Sequence, residues 1–200
     1  MSSWRDRLNK LSGKSRYVVC RIFVHLTGDE VVPLLGVLNS KAREAIASEG
    51  DLEVLGEGLV DICQSLLQMN LYWRSAANEG DVFWDEGEAG DYVTELFTDS
   101  AQRYLSEVPL EKDFKGEEPL SIPVTRNVVV MITIGAEGEV PELETNLADR
   151  EALEDGLKAI IDLHYQNNLQ AIQVHFSPAR LGDELTDEQL LLNFPELVPL

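Results

Sequence analysis

Three histidines, His25, His164 and His175, are the side chains best suited to acid–base chemistry, because imidazole has an unperturbed pKa near neutral pH. Nucleophilic catalysis would also require a nucleophile and an orienting group beside one of them. The sequence contains no G-x-S-x-G, H-E-x-x-H, Walker or dinucleotide-binding glycine pattern that would identify such groups. We therefore expect no catalytic residues and no cofactor.

Metal binding is the second chemistry to consider, and two sets of residues could supply ligands. Cys20 and Cys63 lie in different predicted elements without C-x-x-C spacing, so we expect buried thiols in a reducing compartment, with a disulfide as the alternative. Residues 79–92 form an acidic stretch that lacks the alternate-residue pattern and closing glutamate of an EF-hand loop. We expect a solvated acidic turn there and no metal site. Its carboxylates are Glu79, Asp81, Asp85, Glu86, Glu88 and Asp91.

The charge balance excludes one class of partner. The chain has 36 acidic and 16 basic residues, which gives a formal net charge of -20. Such a charge repels a phosphate backbone, so nucleic acid is not an expected partner. The sequence also lacks an apolar run of the roughly 18 to 20 residues that a membrane span requires. We expect a cytoplasmic protein.

Residues 1–16 differ from the rest of the chain, because they hold five of its 16 basic residues and one of its 36 acidic ones. The spacing of Trp4, Leu8 and Leu11 gives a short apolar stripe on a helix. We expect a flexible segment that either lies on its own acidic body or docks transiently on a membrane or an acidic complex. The residues that would make this docking contact are Trp4, Arg5, Arg7, Leu8, Lys10, Leu11 and Lys14.

Four stretches have the β-branched content or alternation of strands, at residues 17–26, 71–78, 126–135 and 169–176. Helical periodicity predicts a helix pair after the first strand, a third helix after the second, and a fourth between the last two. Thr186 and Gln189 have capping-box spacing, which predicts a helical tail.

This order predicts an α+β fold, specifically a ferredoxin-like βαββαβ sandwich formed by one domain over residues 17–200. The helix pair would be its first crossover and the third helix an insertion. A less regular α+β layer is the alternative.

The predicted fold places the first and fourth strands side by side, so that His25 and His175 share the sheet face away from the helices. We expect this face to be covered by the third helix or the tail, with a partner or ligand surface as the alternative. Its candidate residues are Arg21, Phe23, His25, Met131, Gln173 and His175.

The C-terminal half carries a family resemblance, in its VVVMITIGAEGEVPEL strand, its FSP step at residues 176–178 and its tail. The tail pattern consists of Gly182, Asp183, Leu185, Thr186, Glu188, Leu190, Pro195 and Leu197. In these features the chain resembles the cyanobacterial and chloroplast family catalogued as domain of unknown function 1517, over roughly residues 17–200. The resemblance implies a photosynthetic setting and no catalytic residues.

Many members of that family carry a Gly/Ser-rich region and a membrane span before the domain, whereas this sequence shows the short basic segment instead. We therefore expect any membrane contact to be peripheral, at the thylakoid surface and through residues 1–16. The predicted function is that of a non-enzymatic accessory or assembly protein acting through protein–protein contacts, with a partner from the photosynthetic apparatus. The alternative is a small-molecule-binding regulatory domain or an enzyme that uses the face with His25 and His175.

Overall fold

The structure, a computed structural model, describes residues 15–104, 126–179 and 183–200. One antiparallel sheet of five strands runs through them, in the order β4-β3-β1-β2-β5. The strands form where β-branched and apolar residues alternate or run together. Their bounds are Tyr17–Thr27 for β1, Trp73–Phe83 for β2, Asn127–Glu137 for β3, Leu169–Ser177 for β4 and Val198–Pro199 for β5.

The described residues contain five α-helices that pack on this sheet, and three of these helices begin at a side-chain cap. Asp51, Asp149 and Thr186 each accept backbone hydrogen bonds from the first turn of the helix that follows. Thr186 also completes the capping box with Gln189. The helices are α1, Val32–Ala47; α2, Leu52–Gln68; α3, Glu86–Tyr104; α4, Arg150–Tyr165; and α5, Asp187–Asn193.

The α+β class is confirmed, but the ferredoxin-like topology is not. The prediction that β1 and β4 are neighbours was wrong, because β3 lies between them. The reason is that the first crossover contains two helices, α1 and α2. The chain therefore returns to the sheet antiparallel to β1, and β2 pairs directly with β1. A single-helix crossover would have returned the chain parallel to β1, as the predicted ferredoxin-like arrangement requires.

The sheet is covered on both faces, with the larger core on one side. There α1, α2 and α4 bury alternate residues of all four long strands. On the opposite face, α5 and its flanks pack on one end and α3 on the other. The central strands β1 and β3 thus have two buried faces, whereas β2 and β4 are only partly buried. The third helix and the tail both lie over the second face, as predicted for one or the other.

The second strand is longer than its composition predicted. Residues 79–83 belong to β2 instead of forming an acidic turn, because the register with β1 continues to the Tyr17–Phe83 pair. A glycine is needed within this extension, since a Cβ on Gly80 would lie 2.4 Å from the carbonyl oxygen of Val19. Pairing with a central strand overrides the turn-like composition of this segment.

Close packing between α2 and its neighbours also depends on small residues. A Cβ on Gly56 would lie 2.2 Å from Nδ1 of His164 in α4, whereas Gly58 faces Lys41 of α1 at 3.6 Å. The helix α2 therefore lies between α4 and α1. His164, the third histidine of the sequence, packs at this helix contact.

Candidate functional site

The six residues predicted to share a sheet face do lie on one face. Across β1, β3 and β4, the register aligns Phe23 with Met131 and His175. Two residues before Phe23 on β1, Arg21 is aligned in the same way with Gln173 of β4. His25 is on the same side of β1, next to the tail. The structure divides these residues between two polar clusters, one under α3 and one under α5 and its flanks. Their predicted role in binding a partner or ligand stays a prediction.

The first cluster is centred on Arg21, whose side chain is only 2% exposed. Its Nε donates to Glu79 Oε1 at 2.9 Å, and its Nη1 donates to the Leu96 carbonyl at 2.9 Å and to Ser100 Oγ at 2.7 Å. Its Nη2 contacts Glu79 and Asp99. Every N–H of the guanidinium therefore has an acceptor, and Arg21 attaches α3 to the sheet.

The charges in this cluster influence one another. Burial opposes ionisation of Asp99, but the hydrogen bond and positive charge of Arg21, followed by those of Arg103, outweigh it and lower the pKa of that carboxyl. Burial lowers the pKa of His175, and the nearby charge of Arg21 lowers it further. His175 is held as a neutral ring against Phe97, with ring centroids 5.1 Å apart. The cluster thus favours the charged form of Asp99 and an uncharged His175 imidazole.

Arg103 extends the cluster from α3 to the C-terminal tail. Its Nη1 donates to the carbonyl of Asn193 at 3.0 Å and contacts the carboxylate of Glu196. Its guanidinium and that of Arg21 lie over the ring of Phe23, at 5.3 and 4.8 Å from the centroid. Phe23 itself is fully buried. The two arginines therefore fix both covering elements over the same aromatic ring.

The second cluster surrounds His25. Ser75 Oγ lies 2.9 Å from its Nδ1, and Thr27 Oγ1 and Asn127 Oδ1 lie 3.2 and 3.3 Å from its Nε2. Asn127 in turn donates from Nδ2 to the carbonyl of Leu185 at 2.9 Å. The cluster links the ends of three strands to the tail.

These residue types could in principle supply a hydroxyl nucleophile and a base, but their setting favours a structural role. Burial lowers the pKa of His25, against opposing contributions from the Asn127 hydrogen bond and the charge of Asp187. Ser75 is 9% exposed beneath the tail. The Thr27 hydroxyl and the His25 ring hold Asn127, and through it the segment before α5, while the Ser75 hydroxyl holds the ring.

The two cysteines are free and buried, as predicted. Burial raises the pKa of Cys20 to about 12 and raises that of Cys63 as well, so both are neutral thiols at neutral pH. Within the described ranges no group of three His, Cys, Asp or Glu side chains is arranged to hold a metal ion.

The cavities of the described surface include three that lie away from the two histidines of the sheet face. A groove of about 90 Å³ lies between α1, α2 and β4 and is mainly aliphatic. A cleft of about 470 Å³ lies between the end of β2 and residues 143–146, and another of about 330 Å³ lies beside α4. The two larger ones are lined by carboxylates, including Glu79, Asp81 and Asp155.

Sequence reasoning missed most of the partners in the two clusters. Glu79 was assigned to a solvated turn, and Ser75, Asn127 and Asp99 were given no role. The Arg21–Glu79 pair is a cross-strand pair of opposite charges, which is a known stabilising arrangement. That signal could be used only once the β1–β2 register was known.

The predicted docking segment, with Trp4, Arg5, Arg7, Leu8, Lys10, Leu11 and Lys14, lies outside the described residues. Arg16, which follows it, is part of the folded body. Its guanidinium donates to the Gly138 carbonyl at 2.8 Å and to Glu144 Oε1 at 2.9 Å. Arg16 therefore attaches the start of β1 to the loop that follows β3.

Comparison with protein families agrees with the strand and tail patterns. A family model described as protein of unknown function, DUF1517, matches residues 16–200. The chain belongs to this family. No curated protein and no solved structure matches it significantly. In the described parts of this DUF1517 protein, no helix combines the length and the apolar content needed to cross a bilayer.

Proposed function

We propose that this DUF1517 protein is a non-enzymatic accessory or assembly protein that acts through protein–protein contacts in a photosynthetic cell of the cyanobacterial or plastid type. The observation that carries the proposal is the outer face of α5, where Leu191 and Leu192 are each 78% exposed. Contiguous exposed apolar surface, as distinct from singly scattered apolar residues, marks protein interaction sites.

The rest of α5 supports this interpretation, because the helix is held in one orientation. Leu190 and Phe194 are buried against the sheet, and Arg103 binds the end of the helix through Asn193. The two outward leucines are therefore presented on a fixed surface. A partner that covers them would bury apolar area without having to order the tail first.

The test is affinity purification of the tagged protein from its native cell, with soluble and membrane fractions kept apart. We expect defined partners with the wild type and their loss with the Leu191→Lys/Leu192→Lys variant. Leu71→Lys is the matched control, because Leu71 is 80% exposed outside α5. The same proteins recovered with all three forms would contradict the role of α5. A metabolite that stabilises the wild type but not His25→Ala/His175→Ala would favour the small-molecule alternative.

The proposal includes a peripheral contact of residues 1–16 with the thylakoid surface. Each basic residue near an anionic membrane contributes about 1 kcal/mol, but the acidic body opposes the approach, so binding should be weak and salt-sensitive. Co-sedimentation with anionic vesicles should therefore recover more of the full chain than of a form starting at Ser15. Equal recovery of the two forms at low salt would remove this contact from the proposal.

A further inference from the structure

The two edges of the sheet differ in a way that points to a binding site. At one edge, β5 is two residues long and ends in Pro199, and β2 beside it carries Arg74, Glu79 and Asp81. Short strands, proline and charge are the usual means by which proteins prevent an edge from pairing with another chain. The edge formed by β2 and β5 therefore has the protection expected of an edge that faces solvent.

The opposite edge is β4, which has none of these features. Its nine residues, LQAIQVHFS, include no Lys, Arg, Asp, Glu or Pro, in a chain whose net charge is -20. In the described part of the chain it pairs with β3 alone, so its outer backbone groups face away from the sheet. An uncharged edge strand of this length is a ready template for an added strand.

The surface beside β4 is apolar on both faces of the sheet. On the α1 side, Ile172, Val174 and Phe176 line the groove of about 90 Å³ together with residues of α1 and α2. On the other side, Phe97 of α3 lies against His175 and is 43% exposed. A strand added at this edge would find apolar contacts for side chains on both of its faces.

One wall of the groove is an apolar stripe on α1 that begins in the core and ends at the surface. Leu38 and Ala42 line the groove, and Ile46 continues the same helical stripe one turn further, at 78% exposure. Lys41, which bridges the carboxylates of Glu44 and Asp61, also lies at the groove. The groove is thus apolar at its base and charged at its rim.

We propose that the β4 edge binds an extended segment of a partner protein, which joins the sheet as an added strand and places alternate apolar side chains in the groove. Main-chain hydrogen bonds to β4 would supply affinity, and the groove would select side chains at alternate positions. The net charge of -20 favours a segment flanked by lysine or arginine. This site rests on the proposed function and adds a second binding surface, separate from α5. Its partner is an extended segment with alternate apolar residues and basic flanks.

A second copy of the chain fits this edge less well than an extended segment does. It would bring a like charge of -20 to the contact. It would also bring its own α1 beside its own β4, so that two copies paired edge to edge would direct both α1 helices into one groove. An extended segment has no helix layer on that face and leaves the groove free for its side chains.

The experiment begins with selection of random peptides displayed on phage against the whole protein, with an unrelated acidic protein as the counter-selection. We expect enriched peptides with apolar residues at alternate positions, basic flanks and no central proline. A synthetic copy of the most enriched peptide, titrated into ¹⁵N-labelled protein, should shift the amide signals of β4 and α1. Absence of enrichment, or shifts centred on another surface, would overturn the proposal.

Matched variants test the groove itself. Ala42→Lys/Ile46→Lys should weaken peptide binding at least about tenfold, because it places charge in an apolar contact. Both positions are exposed in the free protein, and an unchanged melting temperature verifies the fold. Leu191→Lys/Leu192→Lys should bind the peptide like the wild type. Equal affinity of the groove variant and the wild type would overturn the proposal.

Two further outcomes would show that something other than a partner segment occupies the β4 edge. A dimer in sedimentation equilibrium that the groove variant dissociates would assign the edge to a second copy. Slow hydrogen exchange at the outer amides of β4 in the isolated protein would mean that the chain itself already covers the edge. If native partners are lost with the α5 variant but not with the groove variant, the proposed function stands and this inference fails.

Discussion

Replacing Arg21 should destabilise the protein by an amount that its contacts allow us to estimate. The side chain is 2% exposed, whereas its partners Glu79 and Asp99 are each 42% exposed and can be rehydrated. The main loss is therefore the hydrogen bonding on the buried side, at the Leu96 carbonyl and Ser100, for which about 1.5–3 kcal/mol is typical of a charged donor. Arg21→Met keeps the apolar stem, so we expect a loss of about 2 kcal/mol. Arg21→Ala also removes two buried methylenes at about 0.8 kcal/mol each, which brings the expected loss to about 4 kcal/mol.

Urea denaturation followed by circular dichroism measures these free energies of unfolding. Lys158→Met is the matched control, because Lys158 also pairs with two carboxylates but is 53% exposed. Exposed pairs contribute little, so this variant should stay within about 0.5 kcal/mol of the wild type. The loss in Arg21→Met should persist at about 1 M salt, where exposed charges are screened. An Arg21→Met protein as stable as the control would refute the role of Arg21 in attaching α3.

Deleting residues 185–200 removes the tail from its buried contacts and should cost at least about 3 kcal/mol; an unchanged melting temperature would show that the tail is free. Folding lowers the pKa of His25 and His175 from the ordinary value of 6.5, so the unfolded chain binds more protons and stability falls as the pH drops below that value. The His25→Gln/His175→Gln variant should lose less stability over the same pH range in urea titrations, and parallel curves would contradict this. Gly56→Ala should destabilise by about 1–3 kcal/mol because its Cβ would meet the α4 imidazole, whereas Gly36→Ala has open space and should gain up to about 1 kcal/mol. Thermal melts of the two glycine variants distinguish these effects, and a stabilised Gly56→Ala would refute the close contact.

The sequence determined the elements whose signals are local. The alternation from Tyr17 to Leu26 predicted both the strand and its inner face, and that face is buried as expected. The capping-box spacing of Thr186 and Gln189 predicted the start of the tail helix. These features depend on side chains within a few residues of one another, so a single sequence is sufficient to predict them.

The tertiary structure alone decided the strand order and the partners of the polar face. Two helices in the first crossover reverse the chain, which makes β2 the neighbour of β1 and places β3 between β1 and β4. That register brings Glu79 to Arg21 across 58 residues of sequence, and α3 then supplies Asp99 from further along the chain. No periodicity encodes such a meeting, because it depends on the direction in which each element returns to the sheet. The buried arginine, the covered histidines and the open edge at β4 all follow from that packing.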